Sequence, residues 1–435
     1  MRARRFHIET LGCPKNAVDS DKIVGSLFAD GLERADSIAD ADLVVVNTCA
    51  FIEAARQESI DTVLALADAK AVDARLVVTG CLAERYGDEL ADALPEADAV
   101  VGFASEGAIA QVTMLATKPL ARKPTGVTDL LDLPRPAPSA PWAYVKVAEG
   151  CDRACAFCAI PSFRGKQRSR SLDAIEAEVR ALLNGGAREI VLVAQDLAWY
   201  GRDVGEVGAL SELLTRLDAL AGDGLARQRL LYLYPSEVRA PLLDRMLELP
   251  TVAPYFDLSL QHASGPLLRR MKRWGSGDRF RTMIDGIRTR RPDAAFRSSF
   301  ICGFPGETEA DHDELLAFLS DAQLDWAGFF AFSREEGTAA ADLDGEVPAP
   351  VVTEWLRECG EVQEQITTAK RLALVGCEIE VLVDGFDDDV AFGRSYRETP
   401  EIDGVVRLDG DAKPGDLVRA RVTDVEGPDL DAVVT

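Results

Sequence analysis

Histidine is scarce in this chain: only His7, His262 and His312 occur in 435 residues. That shortage works against a zinc centre, whose structural form needs four ligands drawn mostly from Cys and His. No stretch approaches the roughly 20 apolar residues needed to cross a bilayer, so no membrane association is expected. The start, MRARRFHIET, is basic but lacks the apolar core of a secretory signal. Positive charge is short as well, with 48 Lys and Arg against 73 Asp and Glu and a formal net charge of −25. Such a balance disfavours gripping a polyanion by simple electrostatics, although local basic patches survive in acidic proteins. Nine cysteines without a secretory signal point to a reducing cytoplasm, where thiols serve metals rather than disulfides.

Six of those cysteines form two patterns. The run Gly150-CDRACAFC-Ala159 places Cys151, Cys155 and Cys158 at the spacing C-x-x-x-C-x-x-C. On so short a loop each thiolate can take one iron of a cubane cluster, which leaves the fourth iron without a protein ligand. A cluster used only for electron transfer normally has four protein ligands, so a triplet indicates that a small molecule completes the shell. A zinc knuckle is the competing reading, but no histidine lies near the triplet to complete it.

The second pattern is dispersed. Cys13 follows FHIETLG, Cys49 follows LVVVNT and Cys81 follows RLVVTG; each is succeeded by a helical pattern. Short β-branched runs of this kind make buried parallel strands. Strand–Cys–helix repeated three times predicts an open α/β sheet, with the cysteines converging at the carboxyl ends of the strands, where such sheets bind ligands. The expectation is a second cluster, again with three ligands. Single cysteines at strand ends are otherwise small buried hydrophobes, and Cys302, Cys359 and Cys377 read as packing or surface residues.

Residues 1–125 therefore form an α/β unit, and a Pro-rich linker, 126–140, follows as a semi-rigid spacer. From 141 to 370 strands and helices alternate, as in WAYVKVAEG, EIVLVAQD, RLLYLYP, FDLSLQ and FRSSFICGFPG. Repeated βα units of this length predict a full or partial barrel with its site at the carboxyl ends of the strands. Residues 371–435 change to short strands punctuated by DG and PGD turns, which predicts a small antiparallel β-barrel. Arg164, Lys166, Arg168 and Arg170 cluster after the triplet, either as a solvated loop or to hold a carboxylate.

The Cys151 triplet resembles the radical S-adenosylmethionine (SAM) enzymes, and Phe157 matches the aromatic they keep beside the adenine. That resemblance implies a barrel of six βα units open on one side, with SAM chelating the open iron. Across the whole chain the resemblance is to the methylthiotransferases, which combine a three-Cys domain, a radical SAM barrel and a terminal TRAM barrel. Four runs are similar to the RimO-like branch, which modifies an aspartate of a small-subunit ribosomal protein: LGCPKNAVDSD, LYLYPSEV, LQHAS and GRSYRETPEIDG. The branch acting on adenosine in transfer RNA typically reads GCQMN, SHP and QSGS at the first three. Asp21 stands where relatives often carry Glu, and Ser171 where they often carry Pro. Residues 370–435 hold eight Lys and Arg against sixteen Asp and Glu, which suits a basic protein substrate better than tRNA.

The resemblance implies two [4Fe–4S] clusters and SAM as cofactors. The cluster on Cys151, Cys155 and Cys158, fed by a low-potential electron donor, would cleave SAM to a 5′-deoxyadenosyl radical that takes hydrogen from the aspartate β-carbon. The cluster on Cys13, Cys49 and Cys81 would supply sulfur, methylated by a second SAM. By the same analogy Gln195, Asp196 and the Gly303–Thr308 loop contact SAM, with Gly303 and Gly306 equally readable as turn residues. His262 reads as structural or as facing substrate. The alternatives are a tRNA adenosine methylthiotransferase and, from a different class, a non-catalytic iron–sulfur carrier.

Overall fold

The computed structural model describes residues 4–110 and 130–435. Five strands build its first unit: β1 (Arg5–Thr10), β2 (Glu33–Arg34), β3 (Leu43–Thr48), β4 (Arg75–Gly80) and β5 (Ala99–Val100). They form a wholly parallel sheet in the order β2-β1-β3-β4-β5. Every residue of β3 is buried, as a strand covered on both faces requires. Helices α1 (Pro14–Ala29), α2 (Glu53–Ala69) and α3 (Cys81–Ala93) follow β1, β3 and β4. The strand order reverses between β1 and β3, so the connections leaving these two strands diverge. A crevice opens there, outside their carboxyl ends.

The second unit begins with β6 (Trp142–Lys146) and a small hairpin of β7 (Ala148–Glu149) and β8 (Arg168–Ser169) that brackets the short helix α4 (Ile160–Phe163). Five more strands complete it: β9 (Glu189–Val193), β10 (Arg227–Leu230), β11 (Tyr255–Gln261), β12 (Ala295–Cys302) and β13 (Trp326–Ala331). Two parallel sheets, β10-β9-β6 and β11-β12-β13, are joined by parallel bridges at Gln228–Val252 and Leu233–Leu258. The result is an arc of six parallel strands, open between β6 and β13.

Six helices cover the outside of the arc: α5 (Leu172–Asn184), α6 (Ala209–Asp218), α7 (Ala240–Glu248), then, past the short α8 (Gly265–Arg270), α9 (Gly277–Arg290), α10 (Glu309–Ala322) and α11 (Ala349–Leu372). In α5 the buried residues Ile175, Val179, Leu182 and Leu183 recur at helical spacing and face the sheet. Ser171, the departure from the family pattern, caps this helix: its side chain accepts from the Ala174 N–H at 3.2 Å.

Strand alternation sorts the two faces of the arc. Ala143, Val145, Ile190 and Leu192 pack under the helices. Tyr144, Val191, Val193, Tyr255 and Trp326 fill the concave side, where Val18 of α1 joins them. Thus α1 is shared by the first unit and the barrel.

The third unit is a closed barrel of β14 (Glu378–Asp387), β15 (Val390–Arg394), β16 (Val406–Asp409), β17 (Leu417–Glu426) and β18 (Asp429–Val434), in the order β14-β15-β16-β18-β17. Its pairs are antiparallel apart from β16 with β18, which run parallel. The GRSYRETPEIDG run between β15 and β16 closes the amino-terminal end of the six-stranded arc. Tyr144 Oη donates to the Pro400 carbonyl at 2.9 Å, Trp326 Nε1 to that of Arg397 at 2.7 Å, and Tyr255 Oη to Asp403 at 2.6 Å. Glu189 meets Arg394 at 2.9 Å and Arg229 at 2.7 Å in the same floor.

The expected boundary near residue 125 and the start of the Pro-rich interval lie outside the described residues. The rest of that interval is docked rather than a free spacer. Lys22 of α1 donates to the carbonyls of Leu131 (2.9 Å) and Leu133 (2.8 Å), and Arg135 pairs with Asp21 and Glu178. Among the described residues no helix is long and apolar enough to cross a membrane.

Candidate active site

Cys151, Cys155 and Cys158 lie on the loop between β7 and β8, whose neck is pinned by pairing of Ala148 with Ser169 and Glu149 with Arg168. Main-chain bonds fix the rest. The Cys151 N–H donates to the Gly165 carbonyl at 3.1 Å, Ala156 to Met271 at 2.9 Å, and Cys158 to Cys155 at 3.2 Å. Burial, with the charge of Cys155 adding to it, pushes the Cys151 thiol up to about 11 and the Cys158 thiol up to about 12. The three sulfurs therefore share one electrostatic pocket. Such thiols ionise on binding a metal centre, with release of protons. Arg273 Nη1 stands 3.4 Å from the Cys155 sulfur.

Phe157 is half-buried against the barrel core. Gln195 and Asp196 leave the carboxyl end of β9: Gln195 Nε2 donates to Glu149 at 2.6 Å, and Asp196 Oδ2 accepts from Arg153 Nε at 2.7 Å. Their other oxygens, Gln195 Oε1 and Asp196 Oδ1, are buried with no hydrogen-bond partner among the described residues. Native interiors rarely leave such acceptors unpaired. The ammonium and ribose hydroxyls of SAM are donors of the kind these two oxygens lack, so the residues present fit that cofactor.

Gly303 makes a tight turn. It sits at φ +80°, its N–H donates to Glu307 at 2.6 Å, and a Cβ there would come within 2.5 Å of Val352 on α11. His262 has partners on both nitrogens, the Ser264 N–H at 3.0 Å and Glu307 at 3.2 Å, and is fully buried. This is the structural reading of that histidine.

The dispersed cysteines also converge. Cys13 is the N-cap of α1, Cys49 directly follows β3, and Cys81 is the first residue of α3. Gly12 lies at φ +97°, and a Cβ on it would fall 2.8 Å from Cys49 Cβ and 3.0 Å from its sulfur. Only glycine lets the two loops meet this closely. Burial raises the Cys49 thiol and pushes Cys81 up to about 12, with Cys13 adding to both shifts. Cys13 behaves differently. Burial opposes its ionisation, but Lys15, Arg164 and the N–H groups of Asn16 and Lys15 outweigh it and hold the thiol below its ordinary value. Among the described residues no three His, Cys, Asp or Glu side chains close on a single ion. A cubane gives each thiolate its own iron, so it would need three thiols around a shared space rather than on one ion, and the mutual electrostatic coupling within each triplet is compatible with that.

A buried polar seam joins the two triplets. Arg164 Nη2 is 3.1 Å from the Cys81 sulfur and donates to Asn16 Oδ1 at 2.7 Å, while Nη1 lies 2.9 Å from both oxygens of Glu149. Lys146 bridges Asp19 of α1 and Glu149 (2.5 Å). A second contact lies farther out, where Arg56 of α2 and Arg85 of α3 (2.6 Å) both meet Glu335, just past β13.

These contacts correct the reading of the basic run. Arg164 and Arg170 are buried in ion pairs, the latter with Glu178 at 2.7 Å, and only Lys166 and Arg168 are exposed. Neither buried arginine is available to hold a cofactor carboxylate. Glu149, Arg153 and Arg273 were not foreseen as parts of the site. For Glu149 the signal was its position two residues before the triplet, and for Arg153 its place between Cys151 and Cys155; Arg273, 115 positions beyond Cys158, carried none.

A partial six-stranded barrel bearing a three-thiol loop, with an acceptor pair beside it, defines a radical SAM enzyme. Comparisons with known proteins agree. Residues 5–102 match the uncharacterized protein family UPF0004, 145–319 the radical SAM superfamily, and 375–435 the TRAM domain. The TsrM radical SAM methyltransferase of Kitasatospora setae shares the fold at a TM-score of 0.57 and 13% identity, over 78% of this chain and 74% of that one. The ribosomal protein uS12 methylthiotransferase RimO of Desulforudis audaxviator is 44% identical over 99% of this chain and 97% of its own. That of Kineococcus radiotolerans is 42% identical over 98% and 96%. The chain belongs to this family of radical SAM methylthiotransferases, whose members use [4Fe–4S] clusters and SAM.

Proposed function

We propose that this chain adds a methylthio group to the β-carbon of an aspartate in ribosomal protein uS12. The observation that carries the reading is the pair of three-thiol sites facing one another across the Arg164–Glu149 seam. Cys151, Cys155 and Cys158 would hold one [4Fe–4S] cluster, and Cys13, Cys49 and Cys81 the other. Phe157, Gln195, Asp196 and the turn at Gly303 would line the SAM site. When bound, these groups supply a single-electron reduction, a carbon-centred radical to take the hydrogen, and the sulfur and methyl that replace it.

The chain's own contribution is placement. Gln195 and Asp196 offer acceptors that orient the donors of SAM. The buried seam of Arg164, Lys146, Asp19 and Glu149 keeps the N-terminal thiols at a set position over the carboxyl ends of the barrel strands. Preorganisation of this kind converts encounters of several reactants into one oriented complex. The acidic C-terminal barrel favours a basic protein over tRNA, and the electron comes from a separate low-potential donor. We place the enzyme in the cytoplasm, where nine cysteines stay out of disulfides, and divide it at 1–125, 126–140, 141–370 and 371–435.

Intact mass of small-subunit ribosomal proteins, from a host lacking its own enzyme and supplied with this chain, tests the reading. The expected result is one methylthio group on uS12, mapped by fragmentation to a single aspartate. New methylthio-adenosine in tRNA with unmodified uS12 would refute it.

A further inference from the structure

Among the described residues, one cation near the site has no hydrogen-bond acceptor and no carboxylate of its own. Lys15, two residues after Cys13 in α1, is only 8% exposed. Its ammonium lies 3.4 Å from the centroid of the Tyr232 ring, yet no acceptor among the described residues lies within hydrogen-bonding or ion-pairing distance of it. The other buried cations of this region are satisfied: Lys22 by Leu131, Leu133 and Glu178, Lys146 by Asp19 and Glu149, and Arg164 by Asn16 and Glu149. The two nearby carboxylates are taken as well. Glu149 is held by Lys146, Arg164 and Gln195; Asp257 by Arg297 (3.1 Å) and by the Tyr232 N–H (2.8 Å). Its strongest attraction is to the Cys13 thiolate, which the proposed function commits to the N-terminal cluster; a buried ammonium resting on an aromatic face with no carboxylate of its own is still one half of a carboxylate ion pair.

The position of the missing half follows from the two elements that hold Lys15. Its backbone belongs to the first turn of α1, directly after Cys13. Tyr232 belongs to the carboxyl end of β10, where it adopts a left-handed backbone (φ 63°) that is costly for a bulky residue. The ammonium therefore stands between the N-terminal thiols and the mouth of the barrel. We infer that Lys15 binds the carboxylate of the target aspartate. This rests on the proposed reaction, in which the reacting β-carbon is bonded directly to that carboxylate. A grip on the carboxylate fixes the reacting carbon to within about two bonds, and it selects an anionic side chain over a neutral one.

The test compares uS12 carrying Asp with uS12 carrying Asn at the position that the mass experiment identifies. Affinity is measured on the cluster-loaded wild type, K15M and K15R. Wild type should bind the Asp form roughly 10- to 100-fold more tightly, the range for a charge-assisted hydrogen bond. K15M, similar in volume and uncharged, should bind both forms equally, and K15R should recover part of the preference. An unchanged preference in K15M overturns the assignment. A preference that persists while affinity for SAM falls would give the ammonium to that cofactor's carboxylate instead, and also overturns it. Failure of wild type to bind either form of uS12 would instead remove the proposed reaction, and this inference with it.

Discussion

Cys151, Cys155 and Cys158 occupy eight consecutive positions of one loop, whereas Cys13, Cys49 and Cys81 come from three strand ends more than thirty residues apart. The first triplet is held by main-chain bonds within and beside its own loop, to Gly165, Met271 and Cys155. The second exists only once β1, β3 and β4 have paired in register and α1 has docked on the barrel. A contiguous site answers mainly to its own loop. An assembled site answers to everything that positions its parts, so it should be the more fragile of the two.

The sharpest way to break this comparison is to remove one thiol from each site. Cys155→Ala should abolish reductive cleavage of SAM while iron on the N-terminal triplet remains. Cys49→Ala should leave cleavage in place and stop methylthio transfer to uS12. Iron and sulfide per chain, released 5′-deoxyadenosine and the mass of uS12 read the two outcomes separately. Loss of all iron from either variant would show that the sites are not independent.

Arg164→Met probes what the assembled site owes to its seam. The substitution leaves Glu149 without a partner on one side and removes the donor beside the Cys81 sulfur. Breaking one side of a buried ion pair costs about 3–5 kcal/mol. Stability in denaturant should fall by that order, and iron should leave the N-terminal triplet first, since the Cys151 loop keeps its main-chain bonds. Equal iron loss at both sites would remove the distinction between them.

The same contrast explains what was legible in the sequence. Cys151, Cys155 and Cys158 could be read from spacing, because a loop-local site writes itself into neighbouring positions. Cys13, Cys49 and Cys81 could be read because each follows a β-branched run, and parallel sheets gather such ends on one side. The seam could not: Arg164 meets Asp19 across 145 positions and Asn16 across 148, and an arginine in a basic run looks the same whether it is solvated or buried. The β16–β18 pairing was hidden for a similar reason, since a short alternating strand carries no mark of its partner's direction. GRSYRETPEIDG was visible as a family resemblance, yet its place on the floor of the barrel depends on Tyr144, Tyr255 and Trp326, which are distant in sequence.

The mildest test alters no ligand and no charge. Gly12→Ala adds one methyl group, at a backbone angle that L residues rarely adopt, 2.8 Å from Cys49 Cβ. The strain should amount to about 1–3 kcal/mol, relieved by moving the Cys13 loop away from the Cys49 loop. Iron on the N-terminal triplet should therefore bind more weakly, and uS12 modification should drop while SAM cleavage at the barrel triplet persists. The effect should be smaller than that of Arg164→Met, because the seam survives and only the approach of two loops changes. If Gly12→Ala reduced SAM cleavage as strongly as uS12 modification, strain in the first unit would be reaching the Cys151 loop. The contiguous triplet would then depend on the assembled one, and the difference in their fragility would have to be given up.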